Sequence, residues 1–455
     1  MKRSSAIQIR LFCRNGCYGE IFELLYIRSY LVIILGGSLK AEVFGDGDCR
    51  RRDPRAALGA ATQSSLRVGG YRTRKMRNNH SKESKHNMDR LGVGIIGCGS
   101  VAEEYVKAFQ KDNRSEVRAL VSRDRANAER YRDRYDLKCA IENDASKMLQ
   151  QDDVDIVVVC TPHNVHTKYV VAAAEAHKHI IIEKPVALTP EDLRKQQQAV
   201  RKSKVKTIVS FVLHWNPLLM TIDRLIEQGV FGDIFMIEVD YMHRIWMTPE
   251  EKWYASREQS GTAILTGGCH AIDALRWFAR SEVEQVCAYQ VKTENPIEYP
   301  GTISVNVKFE DGKIGRSTTT FDAQMPYRFN IGVYGTQGCL RNDELFAPKL
   351  FPGQNNFLKI PSILPDSPDV AHHPFEGEVS HFLDCIIDNL RPFPDLDDAA
   401  YTQAVCFAAD LSAQSGRPVM VSELIDKPRP CGRGAGKSRP SSAVHRMPCG
   451  KDGTG

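Results

Sequence analysis

The distribution of apolar residues divides the chain near residue 90. Before Asp89 the apolar residues show no sustained periodicity, and the stretch 72–89 is polar and basic enough to be disordered. From Leu91 the run LGVGIIGCGS joins a short β-branched strand to a glycine turn. We therefore expect residues 1–89 to be an extension outside the fold, or an over-long reading upstream of a true start near Met88.

Strands and helices alternate in the next part of the chain. Apolar runs predict strands at 91–96, 117–122, 154–162, 179–185 and 207–212. Polar and amphipathic stretches predict helices at 101–111, 125–135, 167–176 and 190–203. Strands joined through helices pair in parallel, and the helices cover both faces of the sheet. Residues 90–213 therefore predict an α/β, doubly wound parallel sheet of the Rossmann, dinucleotide-binding kind.

The pattern changes after Asn216. A helix at 217–228, a strand at 234–241 and a helix at 270–278 precede strand-like runs at 283–291, 303–309, 313–321 and 329–334. Short turns between these runs, such as Glu310-Asp311-Gly312, indicate antiparallel pairing. With closing helices at 376–389 and 397–414, residues 214–423 predict an α+β substrate domain with a large open antiparallel sheet. Residues 424–455 predict a disordered basic tail.

Composition excludes several classes of protein. The chain has 455 residues, 42% hydrophobic and 26% charged, which suits a globular protein of two domains. Its net charge of +5 is concentrated outside the patterned region, so we expect no nucleic-acid partner. The apolar stretch 21–35 is interrupted by Glu23 and Arg28 and is shorter than the ~20 residues of a spanning helix, so we expect no membrane partner.

The 13 cysteines form no CxxC pair and no regular framework. An odd, scattered set of cysteines indicates reduced thiols and a cytoplasmic protein rather than a disulfide scaffold. It also gives no sign of a zinc site.

The sequence Gly97-Cys98-Gly99-Ser100-Val101-Ala102 is a GxGxxA loop between a predicted strand and a predicted helix. The first glycine permits a tight turn, the second lets the backbone approach a pyrophosphate, and the small Ala102 allows close packing of helix and strand. We interpret Gly97, Gly99, Ser100, Val101 and Ala102 as cofactor-binding. The alternative is a structural turn that is rich in glycine.

The end of the second strand is expected to contact the adenosine ribose. An acidic residue there favours NAD, and an arginine accommodates the 2′-phosphate of NADP. This chain has Ser122-Arg123-Asp124, without an acid at the strand tip, so Ser122 and Arg123 favour NADP over NAD. The alternative is that Arg123 only caps a surface turn.

Glu183-Lys184-Pro185 ends the apolar strand HIII. The carboxyl end of a parallel strand is where ligands bind in open α/β sheets. A lysine there is able to hydrogen-bond a substrate hydroxyl and to favour its deprotonation. By itself Lys184 is equally well explained as a solvated loop residue.

Five segments together resemble the Gfo/Idh/MocA family, which includes glucose-fructose oxidoreductase and inositol dehydrogenase. The segments are GIIGCGSVA from Gly94, CTPHNVH from Cys160, EKP from Glu183, GGCHAIDALRW from Gly267 and YGTQG from Tyr334. The resemblance extends from Leu91 to about Val421. It implies an NAD(P)-dependent oxidoreductase that acts on a sugar, polyol or related hydroxy compound.

The resemblance implies roles for individual residues. Lys184 is similar to the family's catalytic lysine, and His270 to the histidine that takes or gives the hydroxyl proton while hydride moves to or from nicotinamide. The family also lines the nicotinamide site with the segment that here contains Thr161, Pro162, His163 and His166, and with Glu183. Its members commonly have an aspartate four residues before the histidine, where this chain has Thr266. Either Asp273 or Glu183 then substitutes electrostatically, or the chemistry is slower or different.

Other polar and aromatic residues are candidates for substrate contact. His214 and Trp253 are the substrate candidates beside Lys184, His270 and Asp273, and Trp215, His243 and Trp246 lie in segments expected near the cleft. The family often has an arginine where His214 stands. His163 and His166 form an HxxH pair, but no third ligand lies at useful spacing, so we expect no metal.

Three functions remain open. The leading hypothesis is hydride transfer between nicotinamide and a secondary alcohol or its ketone, with Lys184 and His270 as the catalytic pair. The alternatives are an NAD-dependent glycosidase and a non-catalytic sugar or nucleotide sensor. By analogy with the family, we expect a homo-oligomer, a dimer or tetramer, formed through the antiparallel sheet.

Overall fold

The computed structural model describes residues 26–27, 30–31, 90–245, 249–365 and 373–425. The chain divides into two compact units, Met1–Lys85 and His86–Gly455. In the first unit the described residues form two short antiparallel strands, β1 (Tyr26–Ile27) and β2 (Tyr30–Leu31). The expectations for the extension 1–89 and the tail 424–455 therefore fall almost wholly outside the described residues.

The first sheet of the second unit confirms the predicted parallel sheet. Its six described strands lie in the order β5-β4-β3-β6-β7-β8, and each neighbouring pair is parallel. The strands are β3 (Leu91–Ile96), β4 (Ser115–Val121), β5 (Ala140–Glu142), β6 (Ile156–Val159), β7 (His179–Ile182) and β8 (Thr207–Val209). The helices are α1 (Ser100–Lys111), α2 (Arg125–Arg134), α3 (Ala145–Leu149), α4 (His166–Glu175) and α5 (Pro190–Ser203).

Two elements of this domain have no counterpart in the predictions. They are the edge strand β5, with three residues, and the helix α3, with five. Both are too short for hydrophobic periodicity to show. A local signal for α3 does exist, since Asp144 caps the helix by accepting a hydrogen bond from the Ser146 N–H.

The second sheet has nine described strands in the order β16-β15-β14-β13-β9-β12-β11-β10-β17. The strands are β9 (Ile234–Met242), β10 (Val283–Val291), β11 (Thr302–Phe309), β12 (Ile314–Thr320), β13 (Arg328–Gly335), β14 (Cys339–Arg341), β15 (Glu344–Phe346), β16 (Leu358–Lys359) and β17 (Val419–Met420). The helices of this part are α6 (Pro217–Glu227), α7 (Arg257–Ser260), α8 (Cys269–Ala279), α9 (Phe375–Ile387) and α10 (Leu396–Ser415).

The second sheet is largely antiparallel, as predicted, and contains one parallel pair of strands. The strands β9 and β12 are parallel neighbours, whereas the other described pairs of this sheet are antiparallel. The long crossover through α7 and α8 carries the chain from β9 to β10. Two antiparallel connections then lead from β10 through β11 to β12. The strand β12 lies beside β9 and runs in the same direction.

Helices cover one face of the second sheet. Every residue of α8 is buried, and α8 and α10 share a continuous apolar core with inward side chains of β9, β10, β11 and β13. The opposite face is open and carries the exposed side chains of Tyr289, Val291 and Ile314. Among the described helices, none combines the length and apolar character needed to cross a bilayer.

Helix α9 packs on the first sheet although it follows the second sheet in sequence. Phe375, Val379 and Phe382 lie in the same apolar core as Val93 of β3 and Tyr105 of α1. Ion pairs between α9 and the first domain lie at the rim of this contact, at exposed positions where they add little stability. The covering of the first sheet is therefore completed from the C-terminal part of the chain.

Candidate active site

The glycine loop between β3 and α1 has a backbone that favours glycine. Gly97 has a φ of +96°, and its N–H donates to the Val121 carbonyl oxygen at 2.8 Å. A Cβ on Gly97 would lie 2.4 Å from the Cys160 carbonyl oxygen, so no side chain fits there. A Cβ on Gly99 would meet no atom within 4 Å, and α1 starts at the next residue without a side-chain cap. This open backbone at a helix N-terminus fits a dinucleotide pyrophosphate.

The residues that follow the loop are arranged as the motif requires. Ala102 is fully buried against the sheet, Val101 is half-buried, and Ser100 is exposed. The Tyr131 hydroxyl of α2 donates to the Gly99 carbonyl oxygen at 2.8 Å. Tyr131 thus holds the loop to α2.

The end of β4 presents an arginine and no free acid. Ser122 is buried, and its N–H donates to the Glu142 carbonyl oxygen at 3.1 Å. Arg123 is exposed and makes no ion pair within the described part of the chain. Asp124 caps α2 by accepting from the Ala126 N–H at 3.1 Å, so its carboxylate is already engaged.

His163 and His166 tie backbone segments together. His163 Nδ1 lies 2.9 Å from the Ser260 carbonyl oxygen. The two ring nitrogens of His166 lie 2.8 Å from the Pro185 oxygen and 2.9 Å from the Thr161 oxygen. Burial lowers the pKa of both imidazoles. His166 therefore connects the segment after β6 to the segment that contains Lys184.

The same two histidines lie side by side, with ring centroids 5.5 Å apart. Thr161 and Pro162 lead from β6 into the single turn that carries His163. Among the described residues, no group of three or more His, Cys, Asp or Glu side chains is placed to hold a metal ion.

Lys184 reaches the turn that precedes His270. Its Nζ donates to the Thr266 carbonyl oxygen at 3.1 Å, and its backbone N–H donates to Glu183 Oε2 at 3.2 Å. Thr266 lies in a π-helical turn, Ile264–Gly268, that leads into α8. Its hydroxyl donates to the Ser260 oxygen at 3.0 Å. Two segments that are distant in sequence thus meet at the lysine ammonium.

His270 has an apolar and aromatic environment. It is 8% exposed, its ring stacks on Tyr241 at 6.2 Å between centroids, and it meets the edge of Phe211 at 5.8 Å. No described residue hydrogen-bonds to its buried Nδ1. Burial, and then the Lys184 ammonium, lower the pKa of His270 well below its usual value. His270 is therefore a neutral imidazole at pH 7, able to accept a proton.

Asp273 belongs to a different cluster. Asp273 Oδ2 lies 2.7 Å from His214 Nε2, and Asp273 Oδ1 accepts from the Thr402 hydroxyl at 3.2 Å. The His214 ring also stacks on Trp277, with centroids 4.1 Å apart. His214 and Asp273 thus form a buried, hydrogen-bonded pair between the segment after β8, α8 and α10.

Neither carboxylate that sequence reasoning proposed as a substitute for an acid at 266 contacts His270. Asp273 is bonded to His214, and Glu183 accepts hydrogen bonds from the Tyr105 hydroxyl and from the Lys184 N–H. Within the described chain the imidazole of His270 has no carboxylate partner. Among charged groups, the Lys184 ammonium has the largest effect on the pKa of His270 and lowers it.

Two of the aromatic candidates lie beside these residues. Trp253 stacks on Tyr254, with centroids 3.9 Å apart, and meets His163 edge-on at 4.7 Å. His243 is buried, its pKa is lowered mainly by burial, and its Nε2 has no hydrogen-bond partner in the described part of the chain. An unpartnered buried nitrogen beside the catalytic candidates fits a ligand contact.

The described part of the structure does not place the other two aromatic candidates, Trp215 and Trp246, beside these residues. Trp215 contacts α9, where its ring lies 5.7 Å from that of His381. Trp246 lies outside the described residues.

Tyr241 was missed by the sequence interpretation. It stacks on His270 and lies 5.2 Å from the Tyr327 ring, so it forms the wall behind the imidazole. On β9 it follows Ile237 and Val239 on the same inward face, a spacing that indicates core. A polar tip at the end of an otherwise apolar strand face was the available signal.

The parallel sheet and the open glycine loop at the start of α1 are the features of a dinucleotide-binding domain. A family model described as "Oxidoreductase family, NAD-binding Rossmann fold" matches residues 91–211, and one described as "GFO/IDH/MocA C-terminal domain" matches residues 219–341. The chain belongs to the Gfo/Idh/MocA family of oxidoreductases. The predicted family, fold class and enzyme class are therefore confirmed.

Individual relatives are distant in sequence. An uncharacterized oxidoreductase, YrbE, of Bacillus subtilis is 24% identical over 73% of this chain and 97% of its own length. The scyllo-inositol 2-dehydrogenase (NAD(+)) of the same organism is 24% identical over 61% of this chain and 81% of its own length. An Agrobacterium radiobacter oxidoreductase solved with NAD+, L-tartaric acid and magnesium is 19% identical over 74% of this chain and 100% of that chain, with a TM-score of 0.67.

Proposed function

We propose that this enzyme transfers hydride between nicotinamide and a secondary alcohol or ketone of a sugar, polyol or inositol-like substrate, with Lys184 and His270 as the catalytic pair. The observation that carries the proposal is that the Lys184 side chain reaches the segment that contains His270. The Lys184 ammonium is anchored on the Thr266 carbonyl, one turn before His270, and its charge lowers the pKa of that imidazole. A hydrogen-bond donor and a neutral base near each other are what alcohol oxidation requires.

The two side chains have separate tasks. In alcohol oxidation, the bound nicotinamide supplies the hydride acceptor. Lys184 Nζ donates a hydrogen bond to the substrate oxygen and stabilises its developing negative charge. We assign the proton transfer to His270 Nε2, because neighbouring side chains enclose Nδ1. In the reverse direction the same nitrogen returns the proton to the alkoxide.

The proposed cofactor site extends from the glycine loop to the end of β7. Gly97, Gly99, Ser100, Val101 and Ala102 hold the pyrophosphate, and Thr161, Pro162, His163, His166, Glu183 and Lys184 surround the nicotinamide half. NADP is favoured over NAD because Arg123 is free of ion pairs within the described chain and the neighbouring Asp124 is engaged in capping. Both dinucleotides are expected to bind.

The substrate class is supported by the relatives and by the site. Two similar proteins are named scyllo-inositol 2-dehydrogenase (NAD(+)) and levoglucosan dehydrogenase. Trp253 provides a ring face of the kind that packs on carbohydrate, and His243 an unpartnered nitrogen. His214 and Asp273 contribute indirectly in this proposal, since they are already bonded to each other.

We further propose that the protein is a cytoplasmic homo-oligomer. The eight described cysteines are free thiols. The open face of the second sheet exposes 72% of Tyr289 and about half of Val291 and Ile314, which a second copy of the chain would cover.

One observation favours a second candidate, an NAD-dependent glycosidase. His270 has no carboxylate partner in the described chain, so an imidazolium formed there would be held less well than in a site with an acid at 266. A glycosidase of this kind oxidises its sugar transiently, eliminates the aglycone and reduces the sugar again. This cycle depends less than alcohol oxidation does on net release of a proton. The two functions differ in whether the cofactor is reduced over a complete turnover.

The test is nicotinamide absorbance during incubation of the purified protein with NADP+ or NAD+ and a panel of sugars, polyols and inositols. A sustained rise that depends on Lys184 establishes the dehydrogenase. Aglycone release from glycosides without net cofactor reduction would replace it with the glycosidase. Cofactor binding with neither reaction on these panels would contradict both and favour a sensor.

A further inference from the structure

Two carboxyl side chains are buried together behind Lys184. Glu183, at the end of β7, is 7% exposed, and Glu378, on α9, is fully buried. Between them lie two hydroxyl groups, those of Tyr105 on α1 and Ser210 after β8. Two adjacent ionised carboxylates in such a site would repel each other with little solvent screening.

The hydrogen bonds distinguish the two carboxyl groups. Glu183 accepts from the Tyr105 hydroxyl at 3.0 Å and from the Lys184 N–H at 3.2 Å. The Tyr105 hydroxyl also hydrogen-bonds to the Ser210 hydroxyl. Neither oxygen of Glu378 has a partner in good hydrogen-bonding geometry among the described residues, although the Ser210 and Tyr105 hydroxyls face it. The well-formed hydrogen bonds of the cluster therefore go to Glu183.

Burial and the neighbouring charges together favour ionisation of Glu183 before Glu378. Burial raises the pKa of Glu378 well above its usual range, and the carboxylate of Glu183 raises it further. Burial also raises the pKa of Glu183, but the Lys184 ammonium opposes this effect. Burial raises the pKa values of Tyr105 and of Cys160, which also adjoins the cluster, so both stay neutral. Glu183 is thus the carboxyl that ionises first.

The donors can be ordered in one consistent direction. The Tyr105 hydroxyl has one hydrogen and donates it in a hydrogen bond to Glu183, so Ser210 must donate to the Tyr105 oxygen. The Ser210 oxygen is then left as an acceptor toward Glu378. A protonated Glu378 satisfies that acceptor, whereas an ionised Glu378 would compete with Glu183 for the same hydroxyl protons.

We propose that Glu378 is held as a neutral carboxylic acid that donates through Ser210 and Tyr105 to the Glu183 carboxylate. Glu378 is then a positioning residue, which keeps Glu183 ionised beside Lys184. The protonation state of Glu378 is independent of the proposed reaction, and only its effect on turnover rests on the proposed function.

The first test is the pH dependence of unfolding for wild type and Glu378→Gln. A carboxyl whose pKa is raised by folding stabilises the protein fully below its unfolded pKa of about 4.3, and this contribution is lost as pH rises toward the folded pKa. Gln retains a donor and cannot ionise. We expect the unfolding constant of wild type relative to Glu378→Gln to rise about tenfold per pH unit between roughly pH 5 and 7.

The control is Glu376→Gln, which changes an exposed glutamate on the same helix. The unfolding constant of wild type relative to Glu376→Gln should stay nearly constant with pH. Parallel curves for wild type and Glu378→Gln would overturn the proposal. Infrared spectroscopy gives an independent measurement. The carboxylic C=O stretch at pH 7 should lose intensity in Glu378→Gln and keep it in Glu376→Gln; buried Asp410, whose pKa is raised to about 7, adds to the same band, so an unchanged intensity in Glu378→Gln is the result that would overturn the proposal.

Turnover tests the positioning role. Glu378→Ala removes the first donor and so destabilises the ionised form of Glu183, which should move the acid limb of the kcat profile to higher pH, whereas Glu378→Gln should restore the profile. An unchanged profile in Glu378→Ala would overturn the positioning role. If no dehydrogenase activity exists, the unfolding and infrared measurements still decide the state of Glu378, so the two proposals fail separately.

Discussion

Two histidines of equal burial in this enzyme have opposite surroundings. His214 is 9% exposed and His270 is 8% exposed. His214 has a carboxylate at 2.7 Å and a tryptophan ring stacked on it. His270 has an unpartnered nitrogen and a lysine ammonium that lowers its pKa. Burial alone therefore does not distinguish His214 from the proposed catalytic His270, whereas the state of their hydrogen-bonding groups does.

The largest expected effect comes from removing the charge that acts on His270. Lys184→Ala should lower kcat by about 10²- to 10⁴-fold, because both the donor to the substrate oxygen and the positive charge are lost. Cofactor affinity, measured by fluorescence titration, should change little. Lys206→Ala is the matched control, since that lysine also donates to a backbone carbonyl, of Leu390. Near wild-type turnover in Lys184→Ala would refute the catalytic assignment.

Changing each histidine in turn tests the difference between His214 and His270 most directly. His270→Asn should reduce kcat by about 10²-fold with little change in stability, because no hydrogen bond to a described residue is lost. His214→Asn should destabilise the fold by about 1–3 kcal/mol, because buried Asp273 loses its close partner. Denaturant unfolding and steady-state kinetics on both variants check this. If both variants lost stability equally, the two histidines would share a structural role.

A carboxylate at position 266, four residues before His270, should make His270 resemble His214. In wild type the pKa of His270 is lowered by burial and by Lys184, so its stabilising contribution is present above the unfolded pKa of about 6.5 and is lost as pH falls. Thr266→Asp should raise that pKa by about 1 unit and move the acid limb of kcat/KM to higher pH. Thr266→Asn is the uncharged control, and equal profiles for the two variants would argue against an electrostatic origin.

The smallest expected effect concerns two arginines of the first domain, one with an ion pair and one without. Arg125 is paired with Glu129 at 2.8 Å, whereas Arg123 has no described ion pair. Arg123→Ala should weaken NADP binding about fivefold, the value of one exposed charge contact, and leave NAD binding nearly unchanged. Arg125→Ala should affect neither dinucleotide. Equal losses for both dinucleotides in Arg123→Ala would remove the argument for NADP.

The sequence predicts the first domain better than the candidate site. Its strands are continuous apolar runs, and the loop after β3 has a motif with a defined geometry, so both the sheet and the position of Gly97 follow from local patterns. The carbonyl of Thr266 carries no side-chain signal, and its contact with Lys184 depends on how two distant segments pack. Residue type and spacing cannot reveal such a contact.

Helical periodicity also has a definite limit here. It correctly places His270 and Asp273 one turn apart on α8, but it does not show which element lies opposite each residue. Since every residue of α8 is buried, each side of the helix has a different neighbour. Asp273 therefore contacts His214 and Thr402, while His270 contacts Tyr241 and Phe211.

The position of α9 has a consequence for synthesis on the ribosome. The strands of the first sheet and helix α1 leave the exit tunnel long before Phe375, Val379 and Phe382 are translated, yet these three side chains cover part of the same core. The nascent cofactor domain must therefore keep an apolar surface uncovered while the second sheet is made, which is the condition under which chaperones engage a growing chain. A fragment that ends after β8 would retain that surface permanently and should aggregate.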